Sequence, residues 1–241
     1  MNNKPTLFTA LTPALLHLYD LKDSIVVIID VFRATSTICT ALYNGAAKVI
    51  PVAGVENCIA MGKQIVGSIT AGERDGKVIE GLQYGNSPAE YPRSFIQGKT
   101  LVLTTTNGTK LLHMALESGC SEVITGSFPN LSAVCAHLLK ENKNVVLGCS
   151  GWKDRFNLED TLFAGAVIRE VKEHFTIHCD SSLMAESMYD RHKDDMFEFI
   201  QKTTHWHRLS AYGLEKDLQY CVTPDIANVV PIYRDGELLA L

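Results

Sequence analysis

The residues at the end of one apolar run have the types and spacing of an oxyanion-binding site. The run Ile25–Ile29 predicts a buried strand, and Asp30 follows it directly. The polar groups that come next, where a helical pattern begins, are Arg33, Thr35, Ser36 and Thr37. A helix start offers unpaired N–H groups and a positive dipole end, which favour an anion such as phosphate. Because Asp30 would repel that anion, we expect a divalent cation to bridge the two.

Polar groups also follow four further apolar runs. They are Glu73 and Arg74; Thr105, Asn107 and Gly108; Ser127 and Asn130; and Ser150 and Gly151. Since the carboxyl ends of parallel strands lie at the same edge of a sheet, we expect these groups to line one crevice. Hydroxyls and backbone N–H groups at several helix starts suit a phosphate. Asn86, in an irregular segment, is a further predicted substrate contact.

Each of these groups also has a purely structural interpretation. Asp, Ser, Thr and Asn are the usual N-cap residues, so any single turn is more often a helix cap than a site. Glycines such as Gly108 and Gly151 can serve backbone geometry alone. Arg33 and Arg74 can form surface ion pairs. The functional interpretation therefore depends on the coincidence of several clusters rather than on any one of them.

Three carboxylates predict a metal site. Asp30, Glu73 and Asp160 offer the hard oxygen ligands that suit Mg²⁺, which takes a few carboxylates together with waters. The alternative is that Glu159 and Asp160, near the start of a predicted helix, complement the helix dipole. His205 and His207 would face different sides of a helix, so a solvated surface or a pocket wall is favoured there over a metal pair.

Several known catalytic patterns are absent from the chain. Gly98-Lys99-Thr100 lacks the first glycine of a phosphate-binding P-loop, because Arg93 stands in its place. Phe32 occupies the position where aspartyl-phosphate phosphatases carry a second Asp, so Asp30 is not predicted to be a covalent nucleophile. Cys149 lies at a strand end, where a buried thiol is favoured over a reactive one.

The alternation of apolar runs and helical patterns predicts how these groups are positioned. Short strands and helices of about 10–15 residues indicate an α/β class with a largely parallel sheet flanked by helices. Residue Pro51 suggests that the strand over residues 47–52 is an edge or a strand terminus. Residues 180–220 are mostly helical in pattern, and residues 229–241 predict a hairpin that turns at Asp235-Gly236. Residues 1–241 contain no linker, which predicts one domain.

Composition and charge exclude several classes of protein. The net charge is −5 and the pI is about 5.9, so no basic field favours nucleic acid or a membrane surface. The seven cysteines are scattered without a C-x-x-C pair, which argues against a disulfide framework or a zinc ribbon. No signal segment and no apolar run of ~18 residues is present. These features predict a cytoplasmic protein without a nucleic-acid or membrane partner, and they leave a homo-oligomer open.

The chain resembles the 2-phosphosulfolactate phosphatase family in seven motifs that occur in the same order. The motifs are Asp30-Val-Phe-Arg33-Ala-Thr35-Ser-Thr37, Gly72-Glu73-Arg74, Gly85-Asn-Ser-Pro88, Thr104-Thr-Thr-Asn-Gly-Thr109, Gly126-Ser-Phe-Pro-Asn130, Cys149-Ser-Gly151 and Leu158-Glu-Asp160 to Gly165. The resemblance covers residues 7–235. It implies an α/β fold and an Mg²⁺-dependent phosphatase that converts 2-phosphosulfolactate to sulfolactate and phosphate. In methanogens that step belongs to coenzyme M biosynthesis, whereas family members in bacteria that make no coenzyme M leave the substrate open.

The sequence therefore predicts an Mg²⁺-dependent phosphomonoesterase that acts on a small, highly anionic phosphate ester through a metal-activated water. The predicted catalytic residues are Asp30, Arg33 and Glu73, and the predicted metal ligands are Asp30, Glu73 and Asp160. The predicted substrate contacts are Arg33, Thr35, Ser36, Thr37, Arg74, Asn86, Thr105, Asn107, Gly108, Ser127, Asn130, Ser150 and Gly151. The alternatives are a phosphatase or phosphoryl transferase for another phosphorylated hydroxy acid, and a non-catalytic protein that binds phosphate esters.

Overall fold

One sheet of eleven strands runs through the part of the chain that the structure describes. The computed structural model describes residues 4–74, 77–105 and 108–241. The strands are β1 (Thr6–Ala10), β2 (Ile25–Ile29), β3 (Lys48–Val52), β4 (Ile69–Arg74), β5 (Lys77–Val78), β6 (Thr100–Thr104), β7 (Glu122–Gly126), β8 (Val145–Cys149), β9 (Thr176–Ile177), β10 (Pro231–Arg234) and β11 (Glu237–Ala240). Their order across the sheet is β5-β4-β6-β3-β11-β10-β7-β2-β8-β1-β9.

Helices connect most of these strands. They are α1 (Ala34–Tyr43), α2 (Val55–Gln64), α3 (Arg93–Ile96), α4 (Gly108–Glu117), α5 (Leu131–Glu141), α6 (Leu158–Val171), α7 (Asp180–His192), α8 (Met196–Ile200), α9 (Thr204–Ser210) and α10 (Glu215–Cys221), with 3₁₀ turns at Pro13–Leu18, Pro88–Glu90 and Phe128–Asn130. The predicted α/β class is confirmed, and so is the mostly helical pattern of residues 180–220. No described helix is both long enough and apolar enough to cross a membrane.

The C-terminal hairpin forms as predicted but lies in the middle of the sheet. It turns at Asp235 and Gly236, and β10 and β11 pair with β7 and β3 in antiparallel fashion. On either side of it, β1, β2, β7 and β8 form one parallel group and β3, β4 and β6 another. Of the two predictions made from Pro51, the edge strand is wrong and the strand terminus is confirmed, since β3 ends at Val52. Pro51 is tolerated because β11 pairs with β3 at Val49, two residues earlier.

Strand β2 is buried on both of its faces, as its unbroken apolar sequence predicts. On one face Ile25, Val27 and Ile29 belong to a core cluster that includes the buried side chains of α5 and α6. On the other face Val26 and Ile28 pack in a cluster with buried leucines of α4. A parallel strand that is covered by helices on both sides has this composition. Its carboxyl end is thereby fixed, and Asp30 with it.

The polar strand ends lie where the two parallel groups face each other across the hairpin. Ile29 pairs with Cys149, and the Ser150 N–H donates to the Ile29 carbonyl at 2.8 Å, so Asp30 and Ser150 lie side by side. In the other group Gly72 pairs with Thr104, which places Glu73, Arg74 and Thr105 at neighbouring strand ends. Glu73 and Arg74 are the last residues of β4 itself rather than part of the loop after it.

Candidate active site

A cleft of about 240 Å³ opens at these strand ends. Its wall combines residues from both halves of the sheet with residues of α9. The lining residues are Asp30, Phe32, Arg33, Glu73, Arg74, Asn86, Thr105, Trp152, Lys153, His205, Arg208 and Leu209. Asp30 and Arg33 are buried and form the floor, Asn86 and His205 are buried in the wall, and Arg74 and Lys153 are exposed at the rim. The structure thus brings together six of the residues that the sequence predicts for the site.

Asp30 is the buried carboxyl of the floor. The Ala34 N–H, at the start of α1, donates a hydrogen bond to Asp30. Asp30 therefore occupies one of the N–H groups of the helix start that was predicted to bind phosphate. Burial is the main cause that raises the pKa of Asp30 to about 6; the Glu159 carboxylate also acts to raise it, while His205, the Ser150 hydroxyl and the Ala34 N–H act to lower it. A carboxyl with such a pKa can accept a proton near neutral pH.

Arg33 crosses the floor as a buried cation that is only 4% exposed. Its Nη1 lies 2.6 Å from Oδ2 of Asp217 on α10, and its Nη2 lies 4.0 Å from Oε2 of Glu73. The other oxygen of Asp217 accepts a hydrogen bond from the Ser87 hydroxyl at 2.8 Å. The helical C-terminal part of the chain therefore fixes the direction of the guanidinium in the cleft.

The three hydroxyls at the start of α1 do not reach the cleft, which corrects their predicted role as phosphate contacts. All three are buried. Thr35 Oγ1 accepts a hydrogen bond from the Asp30 N–H, Ser36 donates to the Val31 carbonyl, and Thr37 donates to the Asn86 carbonyl. The hydroxyls satisfy backbone groups of the tight loop after β2, so they hold Asp30 and Asn86 in place instead of binding an anion.

Ser127 and Asn130 are also structural, in agreement with the helix-cap interpretation. They form a capping box at the 3₁₀ turn after β7, in which Asn130 Oδ1 accepts from the Ser127 N–H at 2.9 Å. Asn130 Nδ2 donates to the Val229 carbonyl at 2.9 Å, which ties this turn to the chain segment that leads into β10. Both side chains are fully buried, so the prediction that they contact substrate is corrected.

Asp160 joins two loops from the inside and does not line the cleft, and its role as a metal ligand stays a prediction. Its Oδ1 accepts from the Val31 N–H at 2.9 Å and its Oδ2 from the Gly151 N–H at 3.1 Å. Burial, followed by the Glu159 and Asp30 charges, raises its pKa well above the ordinary value. Within residues 4–74, 77–105 and 108–241, no three His, Cys, Asp or Glu side chains are grouped to hold a metal ion. The predicted centre of three carboxylates is therefore not formed.

Ser150 and Gly151 belong to this same internal connection. The Ser150 hydroxyl is buried and lies 3.5 Å from Asp160 Oδ2. Gly151 has φ of +55°, and a Cβ there would lie 2.2 Å from the Arg155 carbonyl oxygen, so a glycine is required for backbone geometry. Neither residue lines the cleft, and their predicted role as substrate contacts is corrected to that of supporting the loop.

The remaining predicted residues are at the cleft or beside it. Asn86 and Thr105 line the wall, and Asn86 Oδ1 is a buried oxygen without a hydrogen-bond partner among the described residues. A Cβ at Gly108 would lie 3.4 Å from Asp30 Oδ2, so Gly108 allows the close approach of α4 to the floor. Asn107 lies outside the described residues, and its role stays a prediction.

Six lining residues lie outside the set of site residues predicted from the sequence: Phe32, Trp152, Lys153, His205, Arg208 and Leu209. Trp152, Lys153 and Arg208 form a basic edge, in which Lys153 Nζ lies 4.5 Å and Arg208 Cζ 4.2 Å from the centre of the Trp152 ring. His205 is buried on α9 and lies in the cleft wall, while His207 is exposed, as their helical spacing predicts. The spacing of His205 and Arg208, three residues apart on a helix, is the one sequence signal that places both on the same face.

Cys149 is a buried thiol, as the favoured interpretation has it. Burial, with the adjacent Asp160 and Glu159 charges, raises its pKa well above the ordinary value, so the thiol stays protonated. It has no place among the reactive groups of the cleft.

Comparison with known proteins gives one consistent result. A family model described as "2-phosphosulpholactate phosphatase" matches residues 10–236. A protein of Thermotoga petrophila is 41% identical over 210 residues, covering 87% of this chain and 89% of the relative. One of Caldanaerobacter subterraneus subsp. tengcongensis is 38% identical over 220 residues, 90% of each chain. One of Clostridium perfringens is 38% identical over 223 residues, 90% of this chain and 89% of the relative. Each is named a probable 2-phosphosulfolactate phosphatase.

Proposed function

The chain belongs to the 2-phosphosulpholactate phosphatase family, and we propose that it hydrolyses 2-phosphosulfolactate, or a closely similar small polyanionic ester, to the free hydroxy acid and phosphate. The observation that carries this proposal is the charge of the cleft. Among its described lining residues, four cations (Arg33, Arg74, Lys153 and Arg208) stand against two carboxylates. An excess of cations in one cleft suits a substrate that carries a sulfonate and a carboxylate as well as a phosphate.

The burial of these cations divides the cleft into two parts. Arg33 is held rigidly on the floor beside Asp30, where its guanidinium can bind two oxygens of a phosphoryl group. Arg74 and Lys153 are exposed at the rim, and Arg208 is half-buried next to them. We assign the phosphate to the floor and the sulfonate and carboxylate groups to the rim.

The floor has the groups that hydrolysis of a phosphate ester requires. Arg33 offsets the charge on the phosphoryl oxygens, and such electrostatic stabilisation dominates phosphoryl transfer. Asp30, with its pKa near 6, can orient a water molecule and accept its proton. Water is the proposed nucleophile, because Phe32 stands where an acid would be needed for an aspartyl-phosphate route. A protein that binds phosphate esters without hydrolysing them would gain nothing from a carboxylate that can accept a proton beside the phosphate.

The function is tested by the products formed from a panel of esters. We expect purified protein to release equal amounts of phosphate and sulfolactate from 2-phosphosulfolactate, with a higher kcat/KM than for glycerol phosphate or p-nitrophenyl phosphate. Binding of 2-phosphosulfolactate without phosphate release would identify a non-catalytic binding protein instead. Transfer of the phosphoryl group to an added alcohol would identify a phosphoryl transferase. A higher kcat/KM for a different phosphorylated hydroxy acid would identify that acid as the substrate.

The rim cations are expected to determine specificity. Lys153→Ala and Arg208→Ala should each raise KM for 2-phosphosulfolactate about 5–20-fold, because each removes a charge-assisted contact to the second anionic group. Neither variant should change KM for p-nitrophenyl phosphate, which lacks that group. Steady-state kinetics on both esters measures this, with Lys63→Ala, an exposed lysine of α2, as the matched control. An equal rise in KM for both esters would place the rim cations at the phosphate instead.

Dependence on Mg²⁺ stays a prediction with no ligands assigned to it. The described residues do not gather the three carboxylates that the sequence suggests, so no step above uses a metal. If Mg²⁺ is required, dialysis against a strong chelator should abolish phosphate release and added Mg²⁺ should restore it. Full activity after chelation would remove the metal from the reaction.

A further inference from the structure

A histidine in the cleft wall is held from behind by a buried glutamate. His205 lies in the first turn of α9, which Thr203 caps by accepting the Trp206 N–H at 3.2 Å. Its Nδ1 hydrogen-bonds Glu159 Oε1, and the Asn157 amide nitrogen lies 3.1 Å from the same ring atom. Because Nδ1 is engaged away from the cleft, Nε2 is the ring nitrogen that can serve a ligand.

A fully buried glutamate such as Glu159 is uncommon in a protein unless its charge has a function. Its side chain is 0% exposed, and its Oε2 has no hydrogen-bond partner among the described residues. Burial of an ionised carboxylate is costly unless a cation pairs with it, and His205 is the group placed to do so. The Phe32 ring, with its centre 5.7 Å from that of His205 and at 69° to it, packs against the imidazole. The ring is therefore fixed by three neighbours.

This arrangement has the form of a proton donor with an orienting group. A carboxylate that accepts the Nδ1–H fixes the tautomer and stabilises the protonated ring, which leaves Nε2–H directed to the reaction. The charged groups that face His205 are Glu159 from α6, Asp30 from the loop after β2, and Arg208 on its own helix. Arg208 extends from α9 to the rim, against the Trp152 ring.

We propose that His205 is the general acid that protonates the leaving oxygen of the ester, and that Glu159 is the positioning residue that holds it. This inference deepens the proposed hydrolysis and rests on it. The phosphorus–oxygen bond to the substrate breaks, and its electron pair stays on the leaving oxygen, which takes the proton from Nε2. Water bonds to phosphorus and gives one proton to Asp30, so the second product is hydrogen phosphate. Asp30 then releases its proton to solvent and His205 regains one from solvent.

The test uses two esters whose leaving groups differ in their need for a proton. The alkoxide of 2-phosphosulfolactate is a poor leaving group, whereas p-nitrophenolate leaves without protonation. We expect His205→Gln to lower kcat for 2-phosphosulfolactate about 10²–10³-fold and kcat for p-nitrophenyl phosphate less than about 5-fold. The ratio of the two rates on one preparation does not depend on how much of the variant is folded. The exposed His207, changed to Gln, is the matched control.

Glu159→Gln provides the test of positioning. It should lower kcat for 2-phosphosulfolactate about 10–100-fold with little change in KM, and it should lower kcat for p-nitrophenyl phosphate much less, because only the first ester needs the proton that an oriented ring delivers. A parallel loss on both esters in His205→Gln or in Glu159→Gln would overturn the inference while leaving the hydrolysis itself intact. Failure of the unaltered protein to release phosphate from either ester would instead overturn the proposed function.

Discussion

Replacement of Asp30 by asparagine is expected to lower kcat/KM for 2-phosphosulfolactate by about 10²–10⁴-fold, the usual contribution of a positioned base. The amide keeps the size of the side chain and can still accept the Ala34 N–H, so the loop after β2 should keep its shape. What it loses is the negative charge and the ability to take a proton from water. Steady-state kinetics, together with a circular dichroism spectrum that matches the unaltered protein, measures this directly.

The same substitution is expected to stabilise the fold. Asp30 loses its proton near pH 3.8 in the unfolded chain but only near pH 6 in the folded protein. Between these values the folded state binds more protons, so the free energy of unfolding falls as pH rises through this window. Above pH 6 the charged Asp30 lowers the free energy of unfolding by on the order of 3 kcal/mol, and asparagine, which has no charge, does not.

Thermal unfolding near pH 8 and near pH 5 separates this effect from a general change in packing. We expect Asp30→Asn to have the higher melting temperature near pH 8 and a smaller advantage near pH 5. Asp194→Asn, at an exposed position, should change neither kinetics nor melting temperature. An Asp30→Asn protein that is folded and fully active would remove Asp30 from the reaction, and one that is less stable at both pH values would show that burial of the charge is not costly.

Replacement of Arg33 by methionine is the second change with a large expected effect. It removes the floor cation and leaves Asp217 as an unpaired, nearly buried carboxylate. We expect kcat/KM to fall about 10³-fold, as for other arginines that stabilise a transferring phosphoryl group. The free energy of unfolding should fall by about 3–5 kcal/mol, because the broken pair leaves one charge behind. Kinetics and urea denaturation measure the two losses.

A double variant separates the two roles of Arg33. In Arg33→Met with Asp217→Asn, the amide oxygen can still accept from the Ser87 hydroxyl, and no unpaired charge remains. We expect the double variant to regain most of the lost stability and none of the lost activity. Recovery of activity along with stability would show that Arg33 acts only through the fold.

The sequence predicted where in the fold the site lies better than it predicted which side chains line the site. An unbroken apolar run before Asp30 identifies a strand that is buried on both faces. Glu73, Arg74 and Thr105 lie at strand ends of the other parallel group, which the hairpin pairs in the opposite direction, so a shared sheet edge does not explain why they reach the cleft. Whether a hydroxyl faces the cleft or the backbone depends on the local loop. Thr35, Ser36 and Thr37 satisfy backbone groups, which no residue pattern distinguishes from anion binding.

The residues that were missed come from parts of the chain that tertiary packing brings in. His205 and Arg208 reach the cleft because α9 packs over the strand ends, and Asp217 because α10 does. Lys153 follows a strand end by four residues, and its place beside Arg208 depends on the Trp152 ring between them. The central position of the hairpin likewise depends on pairing with β3 and β7, which local turn chemistry at Asp235-Gly236 does not encode.

The most direct measurement of the central claim is a crystal structure of Asp30→Asn with 2-phosphosulfolactate bound, since slow turnover keeps the ester intact. We expect the phosphate on the floor against Arg33, with its ester oxygen within hydrogen-bond distance of His205 Nε2, and the sulfonate and carboxylate against Arg74, Lys153 and Arg208. An ester bound outside this cleft, or one with the sulfonate on the floor and the phosphate at the rim, would contradict the claim.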